Sequence, residues 1–131
     1  MAADFHSKHG ISPHRQEELY MALVDMRTIL QMLPDDKKQG VTADYDSITA
    51  TVQGFNIGVK VVERVPYSLI RLEDNGAPFK FSLSFHFEKR EYPTGTEIYI
   101  DASADLNLLM RKMVGGKIEE ALNQVVDALC R

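Results

Sequence analysis

From Ser47 to Asp105 apolar side chains fall on every second residue, in runs separated by turn residues, and after Asp105 the spacing changes. From there to Leu129 the apolar residues recur about every three and a half positions, the period of a helix with one buried face. A chain patterned this way has few ways to fold. A sheet that is dry on one side must lay that side against something, and the helix that follows is the available cover. The fold class is therefore α+β, and the space between sheet and helix is either a packed core or a pocket.

The strands pair in a consistent register. A two-residue turn at Gly54-Phe55 places Val52 opposite Ile57, Ala50 opposite Val59 and Ile48 opposite Val61. A turn at Pro66-Tyr67 sets Val61 against Leu72, and one at Asp74–Pro78 sets Leu72 against Phe79 and Ile70 against Phe81. A longer Glu88–Glu97 connection then brings Phe85 opposite Ile100 and Leu83 opposite Ala102. Every pairing keeps apolar residues on one face, which a slip of one residue would reverse. The other face carries Thr49, Thr51, Lys60, Ser82, Ser84, His86, Tyr99 and Asp101.

Before the meander, Asp4–Ile11 reads as a strand, Ser12 as a helix N-cap and Pro13 as the first helical residue, with Glu17 and Glu18 near the positive helix end. Leu19, Leu23, Met26, Leu30 and Leu33 share a helical face, with a break near Asp25–Thr28 that makes two short helices. Pro34 ends the segment and Asp35–Gly40 reads as a solvated loop. In the last helix Val114, Ile118, Ala121, Leu122, Val125 and Leu129 form the apolar stripe, opposite Glu119, Glu120, Asn123 and Asp127. Gly115-Gly116 interrupts it, an expensive pair in a helix interior that reads either as close packing or a kink, or as a hinge for the Leu108–Val114 turn.

Bulk properties narrow the function classes. The 131 residues suit one domain, 1–131, and the net charge of -4 gives no footprint for nucleic acid. Cys130 is the single cysteine, so neither a disulfide framework nor a cysteine-based zinc site is expected. No apolar run approaches the roughly 20 residues that span a bilayer, and no signal-peptide pattern opens the chain, so a cytoplasmic protein is expected.

Strand, two short helices opened by Ser12-Pro13, meander and long terminal helix follow the order of the helix-grip fold. On Ser12–Val24 (SPHRQEELYMALV), Phe55–Val65 (FNIGVKVVERV) with Pro66 behind it, and Ala104–Arg131, the chain resembles the START-like superfamily, also called SRPBCC, of pollen allergens, lipid-transfer domains and polyketide cyclases. The resemblance implies a curved sheet of about seven strands wrapped around the last helix, over a cavity that commonly holds an apolar ligand. It implies no single activity, because the superfamily holds enzymes and carriers alike.

The residues themselves speak against catalysis. The dry face is hydrocarbon, Phe79, Phe81, Leu83, Phe85, Phe87, Ile98 and Ile100, and the meander offers it no acid or base. No catalytic residue, metal ligand or cofactor is assigned. In the first strand Phe5, Ser7, His9 and Ile11 share a side, which places His9 inward, as a rim residue or as a polar anchor for a ligand head group. The His6-x-x-His9 spacing does not make a metal site on a strand, where residues three apart point oppositely. Phe55 at a turn tip is placed at the cavity mouth, and Met110 and Met113 on the last helix read as adaptable pocket lining or plain core. The expected ligand-binding set is His9, Phe55, Phe81, Phe85, Ile100, Met110 and Val114.

The reading favoured is non-catalytic binding of a small apolar or amphipathic ligand, lipid-like or aromatic, with no nucleic acid partner and no integral membrane segment. The alternative is a protein-interaction domain with a filled core, using Phe55 and the loops at Asp74–Pro78 and Glu88–Glu97. An enzyme of the polyketide-cyclase type comes third. An interior void above roughly 300 Å³ favours the first.

Overall fold

A computed structural model describes residues 2–32, 35–52, 55–76, 79–91 and 94–131. In chain order these form β1 (Ala2–His6), β2 (Gly10–Ser12), α1 (Gln16–Leu23), α2 (Met26–Met32), a single turn α3 (Asp35–Lys38), β3 (Val41–Ala43), β4 (Ser47–Val52), β5 (Phe55–Val65), β6 (Leu69–Asp74), β7 (Phe81–Glu91), β8 (Thr94–Asp105) and α4 (Leu108–Leu129). The strands make one antiparallel sheet of eight, ordered β1-β8-β7-β6-β5-β4-β3, with β2 also paired to β8. The helices lie on the apolar face.

The expected first strand is two strands, and the division matters. β1 pairs with β8 as Phe5↔Ala102 and His6↔Asp101, whereas β2 pairs as Gly10↔Ile98 and Ser12↔Thr96. One extra residue between them reverses the alternation of faces. Ser7 bridges the irregularity: its Oγ accepts the Ile100 N–H at 2.8 Å, and its own N–H donates to the Ile100 carbonyl at 2.9 Å. Ser12 is therefore a fully buried strand residue rather than a helix cap. Its Oγ accepts the His14 N–H at 3.2 Å, and α1 begins only at Gln16, behind Arg15.

Within the meander, Phe85↔Ile100 and Leu83↔Ala102 pair as the pattern requires, and so does Val61↔Leu72. Val52 pairs with Phe55, so Ile48 meets Val59 and Ala50 meets Ile57; the Gly54 part of the expected turn lies outside the described residues. A displacement by an even number leaves the faces unchanged. Likewise Ile70 meets Phe85, not Phe81, and Leu72 meets Leu83, not Phe79, because the Asp74–Phe81 connection is longer than a tight turn. The Asp74 carboxylate closes it by accepting the Phe81 N–H at 3.1 Å. The β7–β8 ladder runs on to Glu91↔Thr94, through the stretch expected as an open connection.

A bulge in β5 between Val61 and Glu63 reverses its faces. Val62 and Val65 turn outward, and Arg64 turns toward the helices. The Arg64 guanidinium donates to the Val24 carbonyl at 2.9 Å, just past the end of α1, and to Asp46 at 3.0 Å. It also lies 4.4 Å over the Tyr45 ring. A carbonyl left without a helical partner is thereby satisfied.

α4 runs unbroken through Gly115-Gly116. Leu122, Val126 and Leu129 are buried, while Ala121 and Val125 are exposed, so the stripe is rotated from the expected one. Gly10 explains the placement: a Cβ there would come within 2.7 Å of Val126 and 2.6 Å of the Cys130 sulfur, so the helix settles directly on the backbone of β2.

Candidate ligand site on the inner face of the sheet

The interior divides into two clusters. Leu19, Tyr20, Leu23, Val24 and Met26 pack with Ile70, Leu72, Phe87, Ile98 and Leu129. Ala3, Phe5, Ile100, Ala104 and Leu106 pack with Leu122 and Val126. Leu83 and Phe85, adjacent inner positions of β7, border both clusters and are only half-buried. Ile48, Ile57, Val59, Val61 and Phe81 share that half-exposure along β4, β5 and β7. The reason lies in helix placement, since α4 packs over β1, β2 and β8, and α1 and α2 pack over β3, β4, β6 and β7. These partly exposed side chains form the inner strip, which runs from β5 to β7 across the buried Ile70 and Leu72 of β6.

Of the expected ligand-binding residues, the structure brings Phe81, Phe85 and Ile100 to this face, with Ile100 fully buried. The side chains of Phe55, Met110 and Val114 lie outside the described ones. His9 is not on the inner face. The extra residue between β1 and β2 turns it outward, where its side chain is 57% exposed. The same irregularity puts His6 and His9 on the same outer face, contrary to the alternation argument, yet they contact different carboxylates, Asp101 and Glu97.

The outer face holds an organised polar network. The Tyr99 ring lies between His9 and His86, parallel to both, at centroid distances of 4.3 and 4.5 Å. Asp101 receives His6 Nδ1 at 2.8 Å on one oxygen and meets His86 Nε2 at 3.1 Å on the other. This hydrogen bond raises the His6 pKa above its ordinary value. Arg90, 2.6 Å from Glu97, holds that carboxyl below its usual range, and burial pushes the Tyr99 phenol up. Sequence alternation places Tyr99, His86 and Asp101 on this side of the sheet, and the Phe85–Ile100 register sets His86 opposite Tyr99, but it carries no sign that His9 stacks with them.

Two surface depressions lie outside the strip formed by Val59, Val61, Leu83 and Phe85, the first reaching Phe81 at its edge. One of about 460 Å³ is bounded by Arg71, Glu73, Lys80, Ser82, Ser103 and Asp105, where small serines sit among longer charged side chains. The other, of about 170 Å³, lies between Pro13–Glu17 and Lys89–Thr96. Among the described residues every buried side-chain nitrogen and oxygen has a hydrogen-bond partner.

Neither a family model nor a curated relative matches this sequence. Solved structures do resemble it. The Mll3558 protein of Rhizobium loti has a TM-score of 0.72 at 12% identity, over 99% of this chain and 96% of that one. Norcoclaurine synthase from Thalictrum flavum has a TM-score of 0.68 at 12% identity, over 99% and 85%. Ara h 8.0201 has a TM-score of 0.65 at 13% identity, over 98% and 95%. With the element order described above, these likenesses establish the helix-grip fold of START-like (SRPBCC) proteins. No helix among the described residues is long and apolar enough to cross a membrane.

Proposed function

We propose that the chain, acting as one domain, binds a small apolar or amphipathic molecule against the inner strip of the sheet, between α1–α2 and α4, without transforming it. The observation that carries this reading is the half-exposure of Val59, Val61, Leu83 and Phe85. Apolar side chains left partly open on either side of the buried Ile70 and Leu72 of β6 gain free energy when a hydrocarbon covers them, at about 25 cal/mol per Å² removed from water. Norcoclaurine synthase shares the fold and is named as an enzyme, so the fold leaves catalysis open. The apolar character of the strip is what favours binding over chemistry.

Titration of the native protein with 1-anilinonaphthalene-8-sulfonate, an amphipathic aromatic anion, tests the reading. Saturable binding is expected, weakened by Leu83→Asn in a variant that still unfolds cooperatively. An absence of saturable binding to protein with intact cooperative unfolding would favour the interaction-domain alternative.

A further inference from the structure

The first two turns of α4 carry a second kind of surface. Leu108, Leu109 and Met113 are 69%, 67% and 64% exposed, the most exposed large apolar residues of the chain's described side chains. Single exposed leucines are ordinary, but three within six residues of one helix are not. At 3.6 residues per turn, Leu109 and Met113 share a face, with Lys112 on one side of them and Lys117 on the other. Arg111 is exposed on the same turns. Residues 106–118 hold Arg111, Lys112 and Lys117 and no acid, whereas 119–131 hold Glu119, Glu120 and Asp127 against Arg131, in a chain of net charge -4. The positive charge is thus gathered where the apolar side chains protrude.

We propose that this end of α4 is a docking surface for an anionic lipid bilayer. Apolar side chains flanked by lysines suit the boundary between acyl chains and head groups: leucine and methionine enter the apolar layer while the lysine stems extend to the phosphates. Two observations favour a bilayer over another macromolecule. The apolar groups protrude from the helix into solvent, and a two-fold contact between two copies would set this cationic patch against an identical one. Docking of this kind needs no ligand in the inner strip and stands independently of it.

Co-sedimentation with vesicles tests the proposal, comparing phosphatidylcholine alone with phosphatidylcholine mixed with phosphatidylglycerol. Binding is expected only to the mixed vesicles and is expected to weaken with added salt. Lys112→Gln with Lys117→Gln should lower the partition coefficient about thirtyfold, as two interfacial charges are lost. Leu109→Ser with Met113→Ser should also abolish sedimentation, and both double variants should melt like the parent because all four side chains are exposed. Equal binding to neutral vesicles, indifference to both double variants, or no sedimentation with either vesicle would overturn the proposal. A concentration-dependent dimer lost in Leu109→Ser with Met113→Ser would overturn it in favour of a second copy.

Discussion

Replacing Gly116 by alanine should make the protein more stable. A glycine in a helix interior costs roughly 0.5–1 kcal/mol relative to alanine, because the unfolded chain has more freedom to lose. Close packing would justify that cost, but a Cβ at Gly116 meets nothing within 4 Å, and one at Gly115 meets Phe5 Cε1 at 3.7 Å, an ordinary contact. Neither glycine is imposed by its surroundings. Gly116→Ala is therefore expected to stabilise by about 0.5–1 kcal/mol, with Gly115→Ala similar and aided by the new contact with Phe5. Urea unfolding reads the change as a raised midpoint at constant slope. The glycine pair then remains as a site of compliance, and the double alanine variant should slow exchange of a bound fluorescent probe by stiffening the helix beside the strip. A lowered midpoint for Gly116→Ala would refute the reasoning, since it would mean that the helix is not continuous through the pair, or that a neighbour occupies the space.

Gly10→Ala should do the opposite, because its methyl group would collide with Val126 and Cys130; a loss of about 1–3 kcal/mol is expected in the same assay, partly restored by Val126→Ala. Phe85→Ala should cost less than the 3–5 kcal/mol or so of a fully enclosed phenylalanine, because its site is half open, and should weaken probe binding as well. His6 should titrate above the ordinary imidazole value of 6.5 by NMR and return toward it in Asp101→Asn. With the folded pKa raised, the stability from that pair is complete below the ordinary value and is lost as pH rises through the folded pKa, so Asp101→Asn should flatten the dependence of unfolding midpoint on pH in that window.

Much of the fold is legible in the period of the apolar residues. The Phe85–Ile100 and Leu83–Ala102 pairings follow from alternation, and the α1–α2 break follows from the polar residues near Asp25, whose carboxylate accepts the Arg27 N–H at 2.9 Å as α2 begins. What alternation does not show is where it is interrupted. One extra residue between His6 and Gly10 sends His9 outward and Ser12 inward, and the bulge at Val61/Glu63 brings in Arg64. The two adjacent valines, Val61-Val62, were the visible sign of that second break. The sequence stripe on α4 runs through Val125 whereas the structure buries Val126, because two adjacent valines satisfy a helical period almost equally and only the contact with Gly10 selects between them. Tyr99 and His86 are cross-strand partners in the regular β7–β8 ladder, and only the extra residue between β1 and β2 adds His9 to their stack.

The central claim is that the inner strip of the sheet is the ligand-binding surface. Isotope-edited nuclear Overhauser measurements on the protein mixed with a medium-chain fatty acid test it directly. The account predicts contacts from the acyl chain to Val59, Val61, Leu83 and Phe85, on the inner side of β5 and β7. Contacts confined to Ser82, Ser84 and Ser103 on the outer face, or to Leu109 and Met113 at the end of α4, would contradict it.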